Sequence, residues 1–89
     1  MTKTITVYGR PDDVCTSCKA VGRYLSRLER LDGVKVNKIN VDEDQEALEL
    51  LKSKHFYTVP VMVIGDEWIE YVGGVPTVRI ARALEALND

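Results

Sequence analysis

Cys15-Thr16-Ser17-Cys18 holds the only two cysteines of the chain, and the residues on either side of it set the fold. Upstream, Thr4-Ile5-Thr6-Val7-Tyr8 alternates polar and apolar at period two, the pattern of a strand with Ile5 and Val7 on one face; this strand should end at Gly9. Downstream, Cys18, Val21, Leu25 and Leu28 fall at helical spacing with Gly22 beside them, so a helix should run from about Cys15 to Leu31. Gly33 is placed to cap it. The buried stripe of that helix begins at Cys18, and Cys15 sits one turn earlier, at the open end.

The first amides of a helix have no acceptor within it, and this end carries partial positive charge. A thiolate there is stabilised, and in CxxC helices the pKa falls from about 8.5 toward about 7 or lower. Cys15 is therefore the expected nucleophile toward a disulfide, and Cys18 the sulfur that attacks second and releases the reduced product. Asp12 or Asp13 could cap the helix, and their charge opposes this shift, whereas Arg10 and Lys19 reinforce it. A purely structural bridge between the two cysteines would close a loop of four residues and stabilise by only about 2 kcal/mol in the chain-entropy model.

At 89 residues and a net charge of −2 the chain is long enough for one small domain, expected to span residues 1–89, and has no general attraction to nucleic acid. No apolar run approaches the roughly 20 residues of a membrane span. Met1-Thr2-Lys3-Thr4 leads into the first strand without a secretory apolar region, so the expected setting is cytoplasmic, where CxxC pairs are redox-active or metal-binding. Zinc needs about four ligands, and two cysteines with the single His55 do not supply them within one chain, so no metal is expected. His55 fits a helix end with positive φ better than a catalytic base.

Val34 to Val41 reads as a second strand, although its alternation slips between Val36 and Ile39, which suggests a bulge or an early end. Asp42-Glu43-Asp44 opens a second helix with Ala47, Leu48, Leu50 and Leu51 on its apolar side, ending near Lys54-His55. Val61 to Ile64 is a continuous apolar run, as in a central strand, with Pro60 at its start. Gly65-Asp66 is a hairpin turn and Glu67 to Val72 the returning strand. Gly73-Gly74-Val75-Pro76 ends that strand. Thr77 is the expected N-cap of a last helix whose apolar side is Ile80, Ala81, Leu84 and Leu87. The order is βαβαββα: an α/β domain with a four-stranded mixed sheet and three helices. On the outer face of the first helix Lys19, Arg23, Arg27 and Arg30 form a basic row, readable as a solvated face or as a docking strip for an acidic partner.

Three motifs in this order, Cys15-Thr16-Ser17-Cys18, Thr58-Val59-Pro60 and Gly73-Gly74, resemble the thioredoxin superfamily, most of all its glutaredoxin and NrdH-redoxin branch, including the small redoxins of bacteriophages. The resemblance covers essentially the whole chain. It implies a thioredoxin-like fold and a dithiol–disulfide oxidoreductase that reduces protein disulfides, among them those of ribonucleotide reductase. It implies a cis bond between Val59 and Pro60, with the Val59 backbone pairing with bound peptide or glutathione as an added strand. Thr58, Val59, Pro60, Gly73, Gly74 and Arg10 are then the substrate-binding residues, with Tyr8 and Tyr57 at the rim. No bound cofactor is expected, electrons are expected from thioredoxin reductase and NADPH or from glutathione, and the expected state is a monomer. Glutathione-binding members usually carry Cys-Pro-Tyr-Cys and an Asp after the paired glycines. Here Thr16-Ser17 lie inside the motif, Asp12-Asp13-Val14 lengthen the loop after Arg10, and Thr77 takes the place of the Asp. This mixture points toward the NrdH type, while the paired glycines depart from the NrdH pattern.

Overall fold

A computed structural model describes residues 3–87. Met1 and Thr2, at the start of the expected leader-free N-terminus and of the expected domain span, lie outside the described residues, as do Asn88 and Asp89. Seven elements follow in the expected order: β1 (Thr4–Gly9), α1 (Thr16–Asp32), β2 (Lys35–Asn40), α2 (Gln45–Ser53), β3 (Val61–Ile64), β4 (Glu67–Glu70) and α3 (Thr77–Ala86). The sheet order is β2-β1-β3-β4; β1 is parallel to β2 and antiparallel to β3, and β3 is antiparallel to β4.

The sheet is covered on both sides. Ile5, Val7, Met62, Ile64 and Ile69 pack with Val21 and Leu25 of α1 and with Ile80 and Leu84 of α3. Val61, Tyr8, Ile39 and Trp68 pack on the other side with Ala47 and Leu51 of α2. This explains the broken alternation of β2. Val36 serves the first core and Ile39 the second, while the pairing with β1 runs without interruption from Thr4↔Lys35 to Gly9↔Asn40. There is no bulge; the strand ends one residue before Val41, whose amide turns to Gly9 O at 2.9 Å.

Several expected details differ. β4 stops at Glu70, and Val72 is exposed. Tyr71 N still reaches Pro60 O at 3.3 Å, after which the chain leaves the sheet. In α3 the buried residues are Ile80, Ala83 and Leu84, and Ala81 is exposed; a helical stripe from Ile80 passes through positions 83, 84 and 87. Thr77 does not cap α3. Its amide bonds to Val75 O at 2.8 Å, which places Thr77 inside the first turn and Pro76 at the cap position, with no side-chain cap bond. In α2, Asp44 is the N-cap and accepts from Ala47 N at 3.0 Å, and Leu50 is turned to solvent. Gly33 caps α1 with φ 68, and His55 follows α2 with φ 65.

Candidate active site

Register brings the three motifs to one end of the sheet. Tyr8 pairs with Val61 and Val61 with Glu70, so Gly9, Pro60 and Tyr71 emerge side by side. Pro60 is fully buried and its bond to Val59 is cis. A Cβ on Gly9 would lie 3.9 Å from Pro60 Cβ and 3.2 Å from Cys18 Sγ. The close approach of β1, the second cysteine and the proline loop depends on Gly9 having no side chain.

Asp12 and Asp13 do not cap α1. Val14 N bonds to Pro11 O at 3.0 Å, closing a turn that leaves the cap position to Cys15. Cys15 Sγ accepts from Cys18 N at 3.2 Å. The sulfur thus occupies the place a serine or aspartate oxygen takes in an ordinary cap, facing an otherwise orphan amide. Cys15 and Cys18 are joined by a disulfide with Cα atoms 5.2 Å apart. The two sulfurs differ in access: Cys15 is partly exposed, whereas Cys18 is buried at 7% exposure, with Arg10 N donating to its Sγ at 3.4 Å.

Beside Cys15 runs a groove of about 330 Å³. Arg10, Thr58 and Val59 line it, together with exposed Tyr57. Tyr8 does not reach the rim: it stacks on Trp68, centroids 6.0 Å apart, inside the second core. Gly73 and Gly74 are not among the groove residues. They follow Tyr71 off the sheet at the same end, with φ 71 and 157, and no atom lies within 4 Å of a Cβ built on either. Arg10 forms an ion pair with Asp42, Nε to Oδ1 3.2 Å, at the groove edge.

Residues the sequence reading did not assign complete the site. Val14, Leu48, Leu51 and Phe56 add apolar lining to the groove, and Lys52 adds a cation. Their helix period marked Leu48 and Leu51 as buried, without showing that α2 ends beside the cysteines. Ser17 Oγ donates to Val59 O at 3.4 Å and lies 3.5 Å from Cys15 Sγ, tying the CxxC turn to the proline loop. Behind Cys18 a second cavity, about 550 Å³, is walled by Asp12, Asp13, Gly22 and Lys38. The described residues contain no group of three or more His, Cys, Asp or Glu side chains placed to share a metal ion, and none of their helices is long and apolar enough to cross a membrane.

Comparison with known proteins agrees with this geometry. The glutaredoxin family model matches residues 5–69. The glutaredoxin-like protein NrdH of Escherichia coli K12 is 37% identical over 62 residues, covering 70% of this chain and 69% of that protein. Among solved structures, the E. coli NrdH-redoxin, a glutaredoxin-like protein described as having a thioredoxin-like activity profile, superposes with a TM-score of 0.71 at 33% identity, over 89% of this chain and 92% of the other. Glutaredoxin from Archaeoglobus fulgidus gives 0.62 at 27% identity, over 94% and 88%. Thioredoxin 1 of Thermosipho africanus gives 0.61 at 19% identity, over 92% and 90%, and shares the fold. With the family model spanning most of the chain and a cysteine pair poised for exchange, the protein belongs to the glutaredoxin family, on its NrdH-like branch, and is a thiol–disulfide oxidoreductase.

Proposed function

We propose that the protein reduces disulfides of other proteins, with Cys15 as the attacking sulfur and Cys18 as the resolving one. The observation that carries this assignment is the unequal access of the two sulfurs: Cys15 opens on the groove, and Cys18 is buried beneath Gly9 and Arg10. In the reduced protein the Cys15 thiolate attacks one sulfur of the substrate disulfide. A Cys15–substrate disulfide forms and the first substrate thiolate leaves. Cys18 then loses its proton and attacks Cys15 Sγ, forming the Cys15–Cys18 bond and expelling the second substrate thiolate. Two electrons pass to the substrate, and a reductant must return them. The Cys18 amide faces Cys15 Sγ at 3.2 Å, a backbone donor placed where negative charge rests on that sulfur during exchange.

Val59 lines the groove, which supports a role for its backbone as the template for an extended substrate segment. Holding three sulfurs in line in this way makes exchange nearly unimolecular. Cys15→Ser is expected to abolish reduction of a protein disulfide, and Cys18→Ser to accumulate a mixed disulfide visible by mass spectrometry. Full turnover by Cys15→Ser would overturn the assignment.

Thioredoxin reductase with NADPH is the proposed source of electrons. Two observations support it over glutathione: Thr77, an exposed residue in the first turn of α3, offers no carboxylate to a glutathione amino group, and the similar E. coli protein has a thioredoxin-like profile. Measuring reduction of the oxidised protein by each system decides the point, and faster reduction by glutathione would reverse the choice. Ribonucleotide reductase is the candidate substrate implied by the resemblance, tested by whether the reduced protein restores activity to its oxidised form.

A further inference from the structure

Charge outside the exchange site is sorted by sheet face. α1 and α3 cover one face and carry six cations against three carboxylates; the segment Asp42–Lys54 covers the other and carries five carboxylates against two cations. On α1 the cations are aligned. Lys19, Arg23, Arg27 and Arg30 are all exposed and lie on the side opposite Cys18, Val21 and Leu25. Among the described residues the one ion pair is Arg10–Asp42, so all four are unpaired. Like charges three and four residues apart weaken a helix, and no carboxylate relieves them here. The row begins one turn beyond Cys15, whose carbonyl accepts from Lys19 N at 3.0 Å, and extends about 16 Å along the helix at 1.5 Å per residue.

We propose that this row docks an acidic segment of the disulfide-bearing protein that exchanges with Cys15, aligning that segment along α1 while its disulfide enters the groove. The inference deepens the function proposed above and rests on it. A cationic row beside a reacting sulfur raises the local concentration of an acidic partner and orients it, while the acidic α2 face repels the same partner from the wrong side. The opposite fields make docking directional in a way that the net charge of −2 does not reveal. Nucleic acid is the competing occupant of a cationic row, and the acidic face and net charge disfavour it.

The test uses the reduced full-length protein and two synthetic peptides with the same internal disulfide, one followed by six Glu and the other by six Gln. Six extended residues span about 20 Å, enough to follow the row. Hydroxyethyl disulfide, which is neutral and small, is the control for exchange chemistry itself. At low ionic strength the Glu peptide is expected to react about tenfold faster than the Gln peptide, with the advantage lost near 200 mM salt, where screening is strong. The double variant Arg23→Glu, Arg27→Glu should abolish the preference, and Glu46→Gln with Glu49→Gln should leave it intact. All of these proteins should reduce hydroxyethyl disulfide equally. Failure of the wild-type protein on that control would defeat the exchange mechanism, whereas normal reduction of it with equal rates for the two peptides would defeat only the docking proposal. A preference unchanged by the Arg23 and Arg27 reversals would also defeat it, as would an oligothymidylate that binds the wild-type protein, but not that variant, more tightly than the Glu peptide does.

Discussion

Replacing Gly9 by alanine adds one methyl group where β1, Cys18 and the proline loop meet. The new Cβ would sit 3.2 Å from Cys18 Sγ, with Cys18 Cβ and Pro60 Cβ each at 3.9 Å. Non-bonded atoms settle at about 3.5–4.0 Å, so the sulfur must retreat by roughly 0.5 Å. In the oxidised protein Cys15 tethers that sulfur, and the proline behind the methyl is fully buried. Overpacking of this kind costs about 1–3 kcal/mol, and one short contact belongs at the lower end. In the reduced protein Cys18 is free of its tether and can turn aside. Gly9→Ala should therefore destabilise the oxidised form by about 1 kcal/mol more than the reduced form. That difference is a redox statement: with 30 mV equivalent to about 1.4 kcal/mol, the potential should rise by roughly 20 mV, making the variant the stronger oxidant. Urea unfolding followed by the fluorescence of Trp68, the only tryptophan, measures each form separately. With a slope near 1 kcal/mol per molar, the difference appears as about 1 M in midpoint. Equilibration with a glutathione buffer gives the potential directly. Equal midpoint changes in the two forms, or a potential that falls, would refute the steric account of why glycine stands at the end of β1.

Other substitutions probe separate parts of the structure. Ser17→Ala releases Val59 O from the one side-chain donor it has among the described residues; peptide disulfides should then react up to a few-fold faster relative to hydroxyethyl disulfide, which serves to normalise for the lost contact with Cys15 Sγ, in line with a net hydrogen bond of about 1 kcal/mol. Asp44→Ala removes the acceptor for Ala47 N and should cost about 1 kcal/mol in urea unfolding, with Asp44→Asn within a few tenths of wild type. Trp68 stacks between Tyr8 and Phe56 at 6.0 and 5.9 Å, with Lys54 Nζ 4.8 Å from its ring centre; Trp68→Ala should cost about 3 kcal/mol by circular-dichroism unfolding, and Trp68→Phe markedly less. Gly65 has φ 59, and a Cβ there would meet Leu87 Cδ2 at 2.7 Å. Gly65→Ala should cost about 1–2 kcal/mol, mostly from the backbone. Full recovery when Leu87→Ala is added would show instead that the clash dominates.

The exchange site was legible in outline because its chemistry is local. Cys15 and Cys18 lie three residues apart, and the helix that separates an open sulfur from a buried one begins between them. What could not be read was how side chains distribute between two cores. The slip between Val36 and Ile39 resembles a fault in one alternating face, yet it is the change from one covered face to the other, which no single-face template describes. The same limit hid the groove. Leu48 and Lys52 belong to α2 and Phe56 to the segment after it, on the opposite side of the sheet from α1, and they share a groove with Cys15 and Arg10 only in the folded chain. The caps failed for a related reason. Asp12, Asp13 and Thr77 all have good capping chemistry, but a cap is decided by where the preceding turn delivers the backbone. The turn closed at Val14 delivers Cys15, and the bond from Thr77 N to Val75 O delivers Pro76. At α1 this choice has a chemical consequence. A carboxylate cap would have claimed the amide that now faces Cys15 Sγ and would have set a negative charge beside it. With sulfur in the cap position, the positive end of the helix is directed at Cys15 Sγ, the more accessible of the two sulfurs.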